Sequence, residues 1–209
     1  MNLSSKKAFT LIEMVVAITI FTIFIGIISG TYLYIARAQH DTGEVRKVYS
    51  GARDVMEMIV AEARTSAPYY DCYDFGGGGE IPECTGTYNL ELSAVDVLIL
   101  LGRSEDEITV FSSDEGEVFM KKYELGAGDV WVPQIGYELG ALPISGDEAV
   151  FEGLYFEIYP AISPEVNYGD VSVQYQPHVT VYMRVAGETR NTSEMIYDLQ
   201  TTISSRVYE

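Results

Sequence analysis

KKAFTLIEMVVAITIFTIFIGIISGTYLYIA, Lys6 to Ala36, decides how the rest of the chain is read. Two lysines lead into an apolar run, and Met14 to Ala36 holds no charged side chain. As an α-helix that run extends roughly 34 Å, enough to cross a hydrocarbon core of about 30 Å. The apolar region of a secretory signal is shorter, about 7–15 residues, and ends at a small-residue cut. Lysines on the N-terminal side predict residues 1–8 in the cytoplasm and everything after Ala36 outside. A plain single-pass anchor accounts for all of this except Glu13. A carboxylate within such a run is costly unless something pairs with it.

Beyond Ala36 the apolar pattern changes rather than stops. Val45, Val48, Tyr49, Ala52, Val55, Met56, Ile59, Val60 and Ala63 recur at helical spacing, with charged residues mostly between them. One helix is therefore expected from near Phe9 to near Ser66, with Pro68 just past its end. Its first half is apolar on every side and suits lipid or a filament interior. Its second half has one apolar stripe and suits packing on a domain. Gly26, Gly30 and Gly43 lie within it. The first two permit close helix approach or local flexibility, and Gly43 is expected to mark a bend.

After Pro68 the signals change from helix to strand, with clear alternation at Leu154–Tyr159 and Val179–Val185. Strands are expected at Asn89–Gly102, Glu107–Phe111, Glu117–Leu125, Leu154–Tyr159, Val171–Gln176, Val179–Val185 and Met195–Arg206. Ser112 to Gly116, SSDEG, reads as the turn between the second and third. Pro177 breaks or edges the ladder. The fold class is α+β, a long N-terminal helix packed on an antiparallel β-sheet domain.

The 209 residues carry 31 acids against 13 lysines and arginines, a net charge of −18. A nucleic-acid binder needs a basic footprint, so direct binding to DNA or RNA is not expected. The two histidines, His40 and His178, are far apart in sequence, and no metalloprotease, nucleophile-elbow or Cys-x-x-Cys motif occurs. No enzymatic activity and no cofactor are expected.

Lys-Lys-Ala-Phe-Thr-Leu-Ile-Glu followed by an apolar helix resembles the processing motif of type IV prepilins and type II secretion pseudopilins. That resemblance implies a pilin-like fold and cleavage between Ala8 and Phe9 by a prepilin peptidase, with N-methylation of Phe9. Ala8 stands where the family usually has Gly. Lys6 and Lys7 would orient the leader. Four segments follow: a leader, 1–8; a transmembrane or filament-core helix half, 9–36; an amphipathic helix half, 37–66; and an extracytoplasmic β domain, 67–209. The resemblance further implies residence in the cytoplasmic membrane before assembly into a pilus or pseudopilus. Its partners would be other pilin or pseudopilin subunits, the peptidase and an inner-membrane assembly platform. Domain length and strand count resemble the larger minor subunits, the J-type pseudopilins among them. Glu13 then acquires a role. Cleavage creates a positive terminus on Phe9, which an adjacent subunit's Glu13 can neutralise in a low-dielectric filament core, fixing the register. The alternative is a membrane-anchored extracytoplasmic module for binding or adhesion that never enters a filament in bulk.

Four further features bear on function. Cys72 and Cys84 flank YDFGGGGEIPE; outside the cytoplasm such a pair forms a disulfide, and the spacing supplies too few ligands for a metal. Gly76–Gly79 lacks the phosphate-loop pattern and reads as a flexible hairpin tip. Glu105–Glu107 and Asp114–Glu117 are acidic clusters without EF-hand spacing. They read as solvated turns, with calcium as the alternative. Asn191-Thr-Ser matches a glycosylation acceptor, a pattern common by chance.

Overall fold

The computed structural model describes residues 10–73, 81–85, 95–146, 149–160, 176–188 and 194–205. The chain divides into two units between Gly43 and Glu44. Helix α1, Leu11–Thr65, contributes to both, close to the bounds its periodicity predicts.

In the first unit, the side chains of residues 11 to 40 are all exposed. Leu11 is 83% exposed, Ile20 63% and Phe21 63%, so among the described residues this apolar stretch is left bare. An 18-residue window here has a mean hydropathy of 2.7, and among the described residues this is the one helix long and apolar enough to cross a membrane. Its threonines do not compromise that property. Thr19, Thr22 and Thr31 each donate a hydroxyl to the carbonyl four residues back, at 2.7–2.9 Å. The polar group is thus satisfied within the helix, as a lipid environment requires. Gly26, Gly30 and Gly43 are all helical.

The second unit begins with the rest of α1. Val48, Ala52, Val55, Ile59 and Ala63 are buried, three or four residues apart on one face. Met56 and Val60 flank that stripe and pack against the core. Tyr49 was expected in it but is 49% exposed, since one step along a helix turns a side chain about 100° away.

Two antiparallel sheets complete the unit. The first contains β1 (Ser66–Pro68), β2 (Leu98–Gly102), β3 (Glu107–Asp114), β4 (Glu117–Leu125) and β5 (Trp131–Pro133), paired in that order. In addition, β6 (Leu142–Pro143) pairs with β4. The second contains β7 (Val150–Tyr159), β8 (His178–Glu188) and β9 (Glu194–Ser204), also in order. One hydrophobic core joins α1 to both sheets: Val55, Ile59, Leu98, Ile108, Phe111, Phe156, Val181 and Val185 are all fully buried within it. The sheets are tied by a bridge between Val95 and Phe156 and by the Phe151 N–H donating to the Gly116 carbonyl. Ser205, just past β9, donates its hydroxyl to the Ser66 carbonyl at 2.6 Å, fastening the last strand to the end of the helix. Gly187 marks a close approach. A Cβ there would lie 2.7 Å from a Val48 methyl, so only glycine lets β8 meet the helix at this point.

Several boundaries differ from the expected ones. The turn between β3 and β4 is shorter than SSDEG. Ser112, Ser113 and Asp114 remain paired in β3, leaving a two-residue turn at Glu115 and Gly116 with φ of 47° and 86°. Both residues have positive φ, the signature of the hairpin turn that suits strand twist. The strand expected from Asn89 is confined to Leu98–Gly102 among the described residues, and residues 89–94 lie outside them. Gln176 is not in a strand, while 171–175 lie outside the described residues. The short strands β1, β5 and β6 were not expected.

Candidate functional site

The site begins where α1 begins. Thr10 directly precedes the helix, and Glu13 lies in its first turn. The Thr10 backbone N–H donates to Glu13 Oε2 at 3.2 Å, and the Thr10 hydroxyl reaches the same oxygen at 3.2 Å. In return the Glu13 N–H donates to Thr10 Oγ1 at 3.4 Å. This reciprocal arrangement is a capping box, in which two otherwise orphaned helix donors are satisfied by side chains. A carboxylate in the first turn also complements the positive end of the helix dipole. Glu13 therefore has a local role in addition to any role between subunits. The sequence signal for it was present: Thr10-Leu-Ile-Glu13 has the Thr-x-x-Glu spacing of a capping box. Lys6, Lys7, Ala8 and Phe9 lie outside the described residues.

In the β domain Cys72 and Cys84 are joined, with Cα atoms 4.8 Å apart. Both are buried, as is Ile81. Gly76–Gly79, in the loop that the bridge closes, lie outside the described residues. Side chains next to the bridge attach the loop's two ends to the first sheet. On one side Tyr73 donates its hydroxyl to the Val97 carbonyl at 3.2 Å and accepts the Ile99 N–H at 2.7 Å. On the other, Glu83 takes Lys121 at 3.0 Å and the Tyr123 hydroxyl at 2.5 Å, both from β4. Tyr123 is only 2% exposed. Burial, reinforced by the Glu83 carboxylate, pushes its phenol up to about 12. Sequence reasoning identified the cysteines but not these anchors, which depend on strand register.

The acidic clusters are engaged in hairpin structure. Glu105 occupies a positive-φ position in the β2–β3 turn, and Glu107 receives Lys122 at 3.1 Å. Lys122 also meets Glu62 of α1 at 3.0 Å, and Glu62 accepts the Thr109 hydroxyl at 2.7 Å. Burial pulls the Lys122 ammonium down, but the hydrogen bonds to Glu62 and Glu107 outweigh it and leave the pKa raised. Among the described residues neither cluster gathers three metal-ligating groups. Glu62, Thr65, Ser66, Gly102, Arg103, Ser104 and Glu107 line an open depression at the end of the helix. His40 is exposed on α1, and His178 opens β8 with its ring 5.0 Å from that of Tyr159. Asn191 to Ser193 lie outside the described residues.

A capped apolar helix with its side chains uncovered, continuing into a helix half packed on antiparallel sheets, defines a pilin-like arrangement. Residues 3–29 match the family model of the prokaryotic N-terminal methylation motif. The match marks the N-terminal segment as a prepilin-type motif, of the kind that prepilin peptidase processes. The chain's motif and its long apolar helix fit a single-pass membrane anchor. No curated protein and no solved structure matches the chain.

Proposed function

We propose that this protein is a structural subunit, in the minor class, of a type IV pilus or a type II secretion pseudopilus. The observation carrying this reading is the first half of α1: largely apolar, exposed, and headed by Glu13 within a matched processing motif. In this reading the peptidase cuts between Ala8 and Phe9 on the cytoplasmic face, and Phe9 is methylated. The β domain lies outside the cell. Apolar packing of residues 9–36 between subunits holds the filament together, and the chain performs no chemistry of its own.

Glu13 selects the register. Its carboxylate moves from the local Thr10 cap to the methylated amino group of a neighbouring subunit, because an unpaired charge in a filament core is the costlier state. The test is Glu13→Ala. The variant is expected to insert in the membrane and to be processed, yet to be absent from sheared filaments. Thr10→Val removes the hydroxyl part of the cap while keeping the carboxylate, and is expected to leave incorporation intact. Incorporation of Glu13→Ala at the wild-type level contradicts the proposal.

A further inference from the structure

An apolar surface runs along the outer edge of β4. Both β5 and β6 pair with that edge: β5 at Tyr123 to Leu125, and β6 at Phe119 and Met120. Residues 134–141 connect the two short strands. Leu125, Val130, Val132, Ile135, Leu139 and Leu142 are all exposed there, Ile135 at 88% and Leu139 at 105%. Scattered exposed aliphatics are ordinary, but six within one short segment of so acidic a chain are not.

The connecting loop is fixed by its own hydrogen bonds. The Gln134 N–H donates to the Lys122 carbonyl at 3.0 Å, and Tyr137 and Gly140 close successive turns at 2.9 and 3.1 Å. The Gly136 N–H donates to the Glu138 carboxylate at 2.8 Å. Gly136 and Gly140 have φ of 101° and 132°, which only glycine holds readily. The backbone thus holds Ile135 and Leu139 out in water, and a preorganised loop binds at lower entropic cost.

Charge selects among occupants. Glu124, Asp129 and Glu138 lie in the same segment, and the sequence contains no lysine or arginine between Lys122 and Arg184. A second copy would bring the same acids face to face, and an anionic membrane would be repelled as well. We propose that this edge docks a different protein, one presenting an apolar depression rimmed by lysine or arginine. The proposal does not depend on the filament reading above.

Trp131, the single tryptophan, lies in β5 between the exposed Val130 and Val132 with its own side chain in the core, so its emission responds to changes in the strand that carries the surface. The full chain, reconstituted in phosphatidylcholine vesicles, is titrated with a Leu/Lys amphipathic peptide and with its Leu/Glu counterpart. Trp131 emission is followed. The Leu/Lys peptide is expected to shift the emission, and the Leu/Glu peptide is not. Ile135→Asp with Leu139→Asp is expected to weaken the Leu/Lys response at least tenfold. Both positions face solvent, and an unchanged melting temperature confirms that the variant folds. Three results would overturn the proposal: equal responses from wild type and double variant, quenching of Trp131 by brominated lipid, or an emission shift that depends on protein concentration alone.

Discussion

The two halves of α1 share a backbone conformation and differ in what their side chains meet. From Leu11 to His40 every side chain is exposed, and most are apolar. From Val48 to Ala63 only one face is apolar, and that face is buried. The second half is stabilised by its own domain. The first is exposed along its whole length, and such an apolar surface suits lipid or other subunits. Helical propensity does not distinguish the halves; the breadth of the apolar face does.

The sharpest contrast comes from the same truncation placed in each half. Ile59 is fully buried, and Ile59→Ala is expected to cost about 2–5 kcal/mol of domain stability, read by denaturant unfolding in detergent. The same change at Ile20 removes as many atoms from a side chain that is 63% exposed. It is expected to leave domain unfolding within about 0.5 kcal/mol of wild type. Comparable losses at both positions would erase the distinction.

The disulfide sharpens the domain side of the comparison. Replacing Cys72 and Cys84 with serine is expected to lower stability by about 3 kcal/mol on loop-closure grounds. An unchanged melt would show that Tyr73 and Glu83 hold the loop without the bridge.

A smaller effect is expected at high pH. The Tyr123 phenol is raised in the folded state to about 12 from an ordinary value near 10. Its contribution is fully present below about pH 10 and is lost as pH rises through about 12, where the folded protein must also ionise it. Ultraviolet titration should show a phenolate fraction appearing late, together with unfolding. Tyr123→Phe should diminish that late fraction, leaving the part owed to Tyr70, whose phenol burial also pushes up. A wild-type titration in which every tyrosine ionises near 10 would contradict the buried, Glu83-bound phenol.

Residues differ in how openly they announced these roles. The helix and its change of character were legible because 3.6-residue periodicity persists over many turns. Strands β7 and β8 were legible through alternation, and β3 and β4 through the turn-like SSDEG that separates them. By contrast, β1, β5 and β6 have two or three residues each, too few to display a period. Ser112 to Asp114 look like turn residues, yet pairing with β4 keeps them extended. The division into two sheets depends on pairing between distant segments, which no local pattern encodes. At the site, Thr10-Leu-Ile-Glu13 carried the capping-box spacing, but the sequence reading gave Glu13 only a partner between subunits. The Glu83 contacts to Lys121 and Tyr123 were not legible, because they join residues 38 and 40 positions apart.

The exposed half of α1 is proposed to be a processed filament segment rather than a permanent anchor. Intact mass analysis and N-terminal sequencing of the protein from its native membrane test this most directly. The account predicts a chain beginning at N-methylated Phe9, with residues 1–8 absent. A chain that retains Lys6, Lys7 and Ala8 ahead of an unmodified Phe9 would contradict it.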